Sequence, residues 1–147
     1  MSFKEKYGKW AFVAGSSVGM GGAFCDRLAK EGMNVVVTGR HKETVEAKCR
    51  RLEADFSVQT RAVVIDLGDL DILERIKAAT EGLEVGFLVY NAGLASMALF
   101  PERDIEYEMY RLNVNVRSLL ALSLWFSKGM MARRKGGIIL LSSCGGV

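Results

Sequence analysis

One histidine, His41, and three cysteines, Cys25, Cys49 and Cys144, are the only imidazole and thiol side chains in 147 residues, too few and too scattered for a zinc site. With no CxxC pair among them, no resident metal is expected. The odd cysteine count fits a reduced, cytoplasmic protein better than a disulfide framework. Proline occurs once, and no repeat, low-complexity tract or linker interrupts the chain, which points to one domain. No apolar run approaches the ~20 residues that span a bilayer; the longest, such as residues 119–126, fall well short. The first ten residues carry Lys and Glu charges in place of the apolar segment of a secretory signal. Charge of one sign is also scarce. Twenty basic and seventeen acidic side chains leave a net +3, too little and too mixed to call for nucleic acid as a partner.

What the chain does have is the composition of a globular α/β domain, half hydrophobic and with sixteen glycines. Apolar, β-branched segments alternate with amphipathic ones, as in βαβ units. Strands are predicted at residues 10–14, 34–38, 62–65, 85–90 and 138–141. A helix after the first strand would turn Met20, Phe24 and Leu28 inward and stop at Gly32. A charged surface helix starting at Lys42 would bury Val45 and Leu52. Asp71 and Glu74 form a candidate capping box for a helix ending near Gly82. A long helix after Pro101 carries one apolar face, Ile105, Met109, Leu112, Val116, Leu119, Phe126 and Met130. That face reads as core, and its length would also suit the seam of a homo-oligomer. The triplet Arg133-Arg134-Lys135 at its end complements the helix dipole. Strands apolar on both faces need helices on both sides, so the expected fold is α/β, a doubly wound parallel sheet.

Between the first strand and its helix, Gly15, Gly19 and Gly21 stand at GxxxGxG spacing. One glycine permits a tight exit from the strand and another lets backbone touch a pyrophosphate; the helix N-terminus beyond offers oriented N–H donors. Strand two runs into Gly39-Arg40-His41-Lys42, with no acid where an NAD-selective site would place one on the ribose hydroxyl. The planar guanidinium of Arg40 suits a 2′-phosphate and favours NADP(H) over NAD(H); the plain alternative is that Arg40 only opens a solvated helix. Asp66, closing strand three, either accepts from an adenine amino group or is a turn residue.

In order, Gly15-xxx-Gly19-x-Gly21, Asp66-Leu67, Asn91-Ala92-Gly93, Asn115-Val116-Arg117 and Ile138-Ile-Leu-Leu-Ser-Ser143 resemble the short-chain dehydrogenase/reductase family. The resemblance covers essentially the whole chain. Residues 6–15 and 28–35 look most like the branch that reduces long-chain 3-oxoacyl thioesters and 17-ketosteroids. It implies a Rossmann-like fold, ending here after the fifth strand, and an NADP(H)-dependent interconversion of a small-molecule carbonyl and alcohol by hydride transfer. By position, Gly15, Ser17, Gly19 and Met20 would line the cofactor diphosphate, Arg40 the 2′-phosphate, Asp66 the adenine, and Asn91 with Gly93 the nicotinamide-side ribose. Ser143 falls where the family's catalytic serine lies, its hydroxyl on the substrate oxygen, with Ser142 the competing assignment. Asn115 matches an asparagine that helps hold a water in the proton relay.

Two departures put hydrogen bonds of the cleft in doubt: Ala14 stands where the family usually has Thr, and Tyr90 where it usually has Asn. The family's Tyr-xxx-Lys, which should follow the serine, is absent from the chain, which stops at Val147. Tyr107 and Tyr110 do not replace it, since neither has a Lys four residues on. The expectation is the front part of a longer reductase, inactive by itself. The alternatives are a non-catalytic dinucleotide-binding or interaction fragment and a nucleotide-binding transferase; the missing acid after strand two disfavours the transferase. Cys144 as a nucleophile lacks a nearby histidine.

Overall fold

In the computed structural model, which describes residues 1–143, the strands are β1 (Trp10–Ala14), β2 (Asn34–Gly39), β3 (Thr60–Val64), β4 (Val85–Tyr90) and β5 (Gly137–Leu140). They form one parallel sheet in the order β3-β2-β1-β4-β5. Valine-rich segments settle as strands because β-branched side chains pack well on a pleated surface. Every residue of β1 and β4 is buried, as strands covered on both faces require.

Alternate residues feed two cores. Phe12, Val36 and Leu88 face the layer of α4 (Ile72–Ala79) and α6 (Ser118–Ala132), where they meet Ile76, Leu122 and Phe126; the rings of Phe12 and Phe126 lie 5.0 Å apart. Ala11, Val13, Val35, Val37 and Val89 face α2 (Gly19–Lys30) and α3 (Lys42–Phe56), against Leu28, Val45 and Leu52. A short α1 (Phe3–Tyr7), begun by a Ser2–Glu5 capping box, packs Phe3 and Tyr7 on Phe87.

Several helix readings are corrected. In α2 the buried residues are Gly21, Gly22, Cys25, Leu28 and Ala29, while Met20 is 63% exposed. Small residues let the helix lie close to the sheet, so backbone approach sets its face rather than the largest side chains. Asp71 precedes α4 but its side chain caps nothing; its backbone (φ −96°, ψ 9°) is not the extended one a capping residue adopts. Glu74 pairs instead with Lys77 at 2.8 Å. The helix ends at Ala79, short of Gly82, where the Thr80 hydroxyl donates to the Ile76 carbonyl.

The long helix after Pro101 is broken into a 3₁₀ turn (Phe100–Glu102), α5 (Ile105–Leu112), a π turn (Asn113–Arg117) and α6. The π turn inserts a residue and so rotates α6 relative to α5. Val114, Ser118, Leu122, Phe126 and Met130 face in, whereas Ile105, Met109, Leu112 and Val116 are half or more exposed. At the edge of the sheet β5 is covered on one face only, with Ile139 packed inward and Ile138 and Leu140 exposed. Arg133 folds back to donate to the Val85 carbonyl at 2.9 Å. Among the described residues no helix is long and apolar enough to cross a membrane.

Candidate cofactor and active site

The sheet order reverses direction beside β1 and β4, and the crevice at the C-terminal ends of such strands is where open α/β sheets take ligands. A cleft of about 420 Å³ lies there, lined by Gly15, Ser17, Gly19, Met20, Arg40, Asp66, Asn91 and Gly93 among others. All eight residues assigned to a cofactor from the sequence are thus brought together. Ser143 and Asn115 do not line it.

Gly15 (φ 73°) and Gly19 (φ 61°) adopt left-handed conformations. Gly21 is required by proximity: a Cβ there would sit 2.0 Å from the Gly15 carbonyl oxygen. That oxygen accepts from Asn91 Nδ2 at 2.9 Å, so the turn, α2 and the loop after β4 meet at one atom. A Cβ on Gly19 would find nothing within 4 Å, and no side chain caps the first N–H groups of α2. Open space against uncapped helix N-terminal donors fits a diphosphate.

Beneath the turn, Thr38 Oγ1 donates to the Val13 carbonyl (2.8 Å) and accepts from the Gly15 N–H (3.0 Å). Ser16 Oγ accepts from the Thr38 N–H (2.6 Å) and donates to the Thr38 carbonyl (3.1 Å). The Cys25 thiol donates to the Ser16 carbonyl, and burial pushes it up to about 12, so it is an inert core group. Ala14, despite having no hydroxyl, gives its carbonyl to the N–H groups of Asn91 and Ala92, both at 3.1 Å. Tyr90 donates to the Val114 carbonyl at 2.5 Å, and burial raises its phenol well above the usual range. The two departures therefore leave this end of the cleft tied together by other bonds. Thr38 and Ser16 went unread; a lone threonine ending a valine strand was the available signal.

At the other end, Arg40 is exposed on the cleft wall. Asp66 Oδ1 accepts from the Gly68 N–H at 2.8 Å, and Tyr110 of α5 reaches both Asp66 oxygens, at 2.8 and 2.9 Å. Asn115 engages Leu94 in both directions: its Oδ1 accepts from the Leu94 N–H and its Nδ2 donates to the Leu94 carbonyl, each at 2.8 Å. It clamps the loop after β4 and retains one N–H and one lone pair for a water. Ser142 and Ser143 follow β5, the strand paired with β4, and both are exposed. Cys144 lies outside the described residues.

The family model described as short chain dehydrogenase matches residues 9–147. The chain belongs to this family. A 7beta-hydroxysteroid dehydrogenase of Mediterraneibacter gnavus is 36% identical over 147 residues, covering 100% of this chain and 56% of the relative. The very-long-chain 3-oxoacyl-CoA reductase of Homo sapiens is 34% identical over 146 residues, 95% of this chain and 46% of the relative. Among solved structures, L-sorbose reductase from Gluconobacter frateurii, complexed with NADPH and L-sorbose, superposes with a TM-score of 0.89 at 28% identity. That match covers 97% of this chain and 55% of the other. The chain spans about half the length of the relatives it matches. The family is one of oxidoreductases that bind nicotinamide dinucleotides, and a 3-oxoacyl reductase among the relatives agrees with the branch read from residues 6–15 and 28–35.

Proposed function

We propose that the protein is an NADP(H)-dependent oxidoreductase that interconverts a small-molecule carbonyl and a secondary alcohol. The observation that carries this reading is Arg40, an exposed guanidinium on the wall of the cleft at the strand ends, with no carboxylate at the end of β2. The bound dinucleotide would supply or accept the hydride. Gly15, Ser17, Gly19 and Met20 would hold its diphosphate, Asp66 its adenine, and Asn91 with Gly93 the ribose nearer the nicotinamide. The Ser143 hydroxyl would donate to the substrate oxygen and stabilise the charge that develops there. Asn115 would orient a water beside it.

Proton delivery to that oxygen needs a general acid. The family's Tyr-xxx-Lys has no counterpart in these 147 residues, so the reading concerns the protein as its gene encodes it. A cytoplasmic location and a homo-oligomeric state are part of the same reading, the second supported by the exposed stripe of Ile105, Met109, Leu112 and Val116.

Calorimetric titration with NADPH and NADH tests it. The wild type should bind NADPH roughly tenfold more tightly or better. Replacing one positive by one negative charge near a phosphate changes the Coulomb energy by about 2–4 kcal/mol at about 4 Å in solvent. Arg40→Asp should therefore reverse the preference and leave NADH binding nearly unchanged. Equal weakening of both cofactors would overturn the 2′-phosphate assignment. Oxidation of NADPH on adding a ketone separates a reductase from a non-catalytic dinucleotide-binding protein.

A further inference from the structure

Tyr110 sits in the last turn of α5, yet its phenol reaches the end of β3, with the oxygen 2.8 and 2.9 Å from the two oxygens of Asp66. One hydroxyl carries one proton, so the O–H must straddle the carboxylate. The Gly68 N–H holds Oδ1 from a second direction at 2.8 Å. With two donors on Oδ1 and a shared one on Oδ2, the group cannot rotate freely, and Oδ2 is the oxygen with acceptor capacity to spare. Space for the ring exists because residue 68 is glycine: a Cβ there would lie 2.0 Å from Tyr110 Cε2. Tyr110, Asp66 and Arg40 all line the same cleft. Desolvation and the Asp66 charge raise the phenol above its usual value, against the opposing pull of Arg40, so it remains a donor throughout the neutral range.

Resting on the dinucleotide reading above, we infer that Tyr110 is a positioning residue which fixes the Asp66 carboxylate and thereby makes the cleft selective for a 6-aminopurine. A carboxylate held in one orientation accepts from the 6-amino group of adenine and opposes the 6-oxo group of hypoxanthine. A carboxylate free to turn into solvent discriminates poorly, because water satisfies it equally well with either base.

The test compares NADPH with its hypoxanthine analogue on the protein as its gene encodes it. The wild type should prefer the adenine form by roughly tenfold or more. Tyr110→Phe keeps the ring against Gly68 and removes only the hydroxyl; it should bring that preference below about threefold. Gly68→Ala, which displaces the ring without touching the base, should do the same. A wild type that binds neither dinucleotide overturns the functional reading itself. A wild type that binds both equally, or a Tyr110→Phe that weakens both in proportion or keeps the full preference, overturns the role of Tyr110 and leaves the dinucleotide reading standing.

Discussion

Two glycines of one turn should fail in opposite ways when given a methyl group. At Gly21 the new Cβ would sit 2.0 Å from the Gly15 carbonyl oxygen and 2.8 Å from Asn91 Nδ2, whereas carbon and oxygen normally approach no closer than about 3.3 Å. Both neighbours belong to the frame of the cleft, so relief means moving the turn by about 1 Å. That movement breaks the 2.9 Å bond from Asn91 to Gly15, a loss of about 1 kcal/mol, and adds overpacking of about 1–3 kcal/mol. Gly21→Ala should therefore lose about 2–4 kcal/mol of stability. At Gly19 the same methyl meets nothing within 4 Å. Only the φ of 61° resists it, a strain of about 1 kcal/mol. Yet this methyl would project into the open space beside the first N–H groups of α2, where the proposed diphosphate would touch backbone. Gly19→Ala should lose NADPH affinity by about a hundredfold, near 3 kcal/mol, against about 1 kcal/mol of stability. Urea unfolding gives one number and calorimetric titration the other. A Gly19→Ala that loses more stability than affinity, or a Gly21→Ala as stable as the wild type, refutes the reasoning.

Asp26 pairs with Lys48 at 2.7 Å and with Arg51 at 2.6 Å, and the Lys48 side chain is only 7% exposed. Burial alone would raise the Asp26 carboxyl, but hydrogen bonds from Arg51 and Lys48 hold it below the usual range. A group depressed in the folded state contributes stability above about pH 4, lost as pH falls through its folded value. Asp26→Asn should thus cost about 2 kcal/mol at neutral pH, mainly from the stranded Lys48 ammonium, and flatten the acid limb of the urea midpoint against pH. An unchanged acid limb would show the pair to be inert. Tyr90→Phe strips the Val114 carbonyl of its buried donor and should cost about 1–2 kcal/mol. Amide exchange at residues 113–117 should accelerate before that of the sheet, and uniform exchange would refute the link.

β1 and β4 are legible to the residue because they are apolar throughout and the sheet buries both of their faces. Cofactor candidates chosen for their place at strand ends converge on one cleft for the same reason, since parallel strands deliver all their C-terminal ends to one edge. Helix phase was legible only in part: Leu28, Val45, Leu52, Phe126 and Met130 are buried as their spacing predicts, whereas Met20, Ile105, Met109, Leu112 and Val116 are exposed. In α6, Leu119, Leu120, Leu122, Leu124, Trp125 and Phe126 leave hardly a polar side, which weakens the period. The π turn residues, Asn113 to Arg117, carry no glycine or proline to announce the irregularity. Tyr110 was set aside on sequence because no Lys follows four residues on; with Ile105 and Met109 exposed, the opposite side of α5 meets Asp66 and gives Tyr110 a different role.

That irregular turn also joins the two ends of the cleft. On a regular α-helix, residues five apart point about 140° away from each other, so Tyr110 and Asn115 would fall on different faces. The wider i→i+5 spacing of a π turn brings such residues toward one side. Here Tyr110 reaches Asp66 at the end of β3, Val114 takes the Tyr90 hydroxyl at the end of β4, and Asn115 clamps Leu94 beyond it. Three strand-end contacts from one short stretch hold Asp66, Tyr90 and Leu94 in fixed register. A regular helix of the same length could keep Tyr110 on Asp66 or Asn115 on Leu94 but not both without shifting against the sheet. The break in periodicity that defeats a sequence reading is therefore the feature that lets one helix serve both halves of the site.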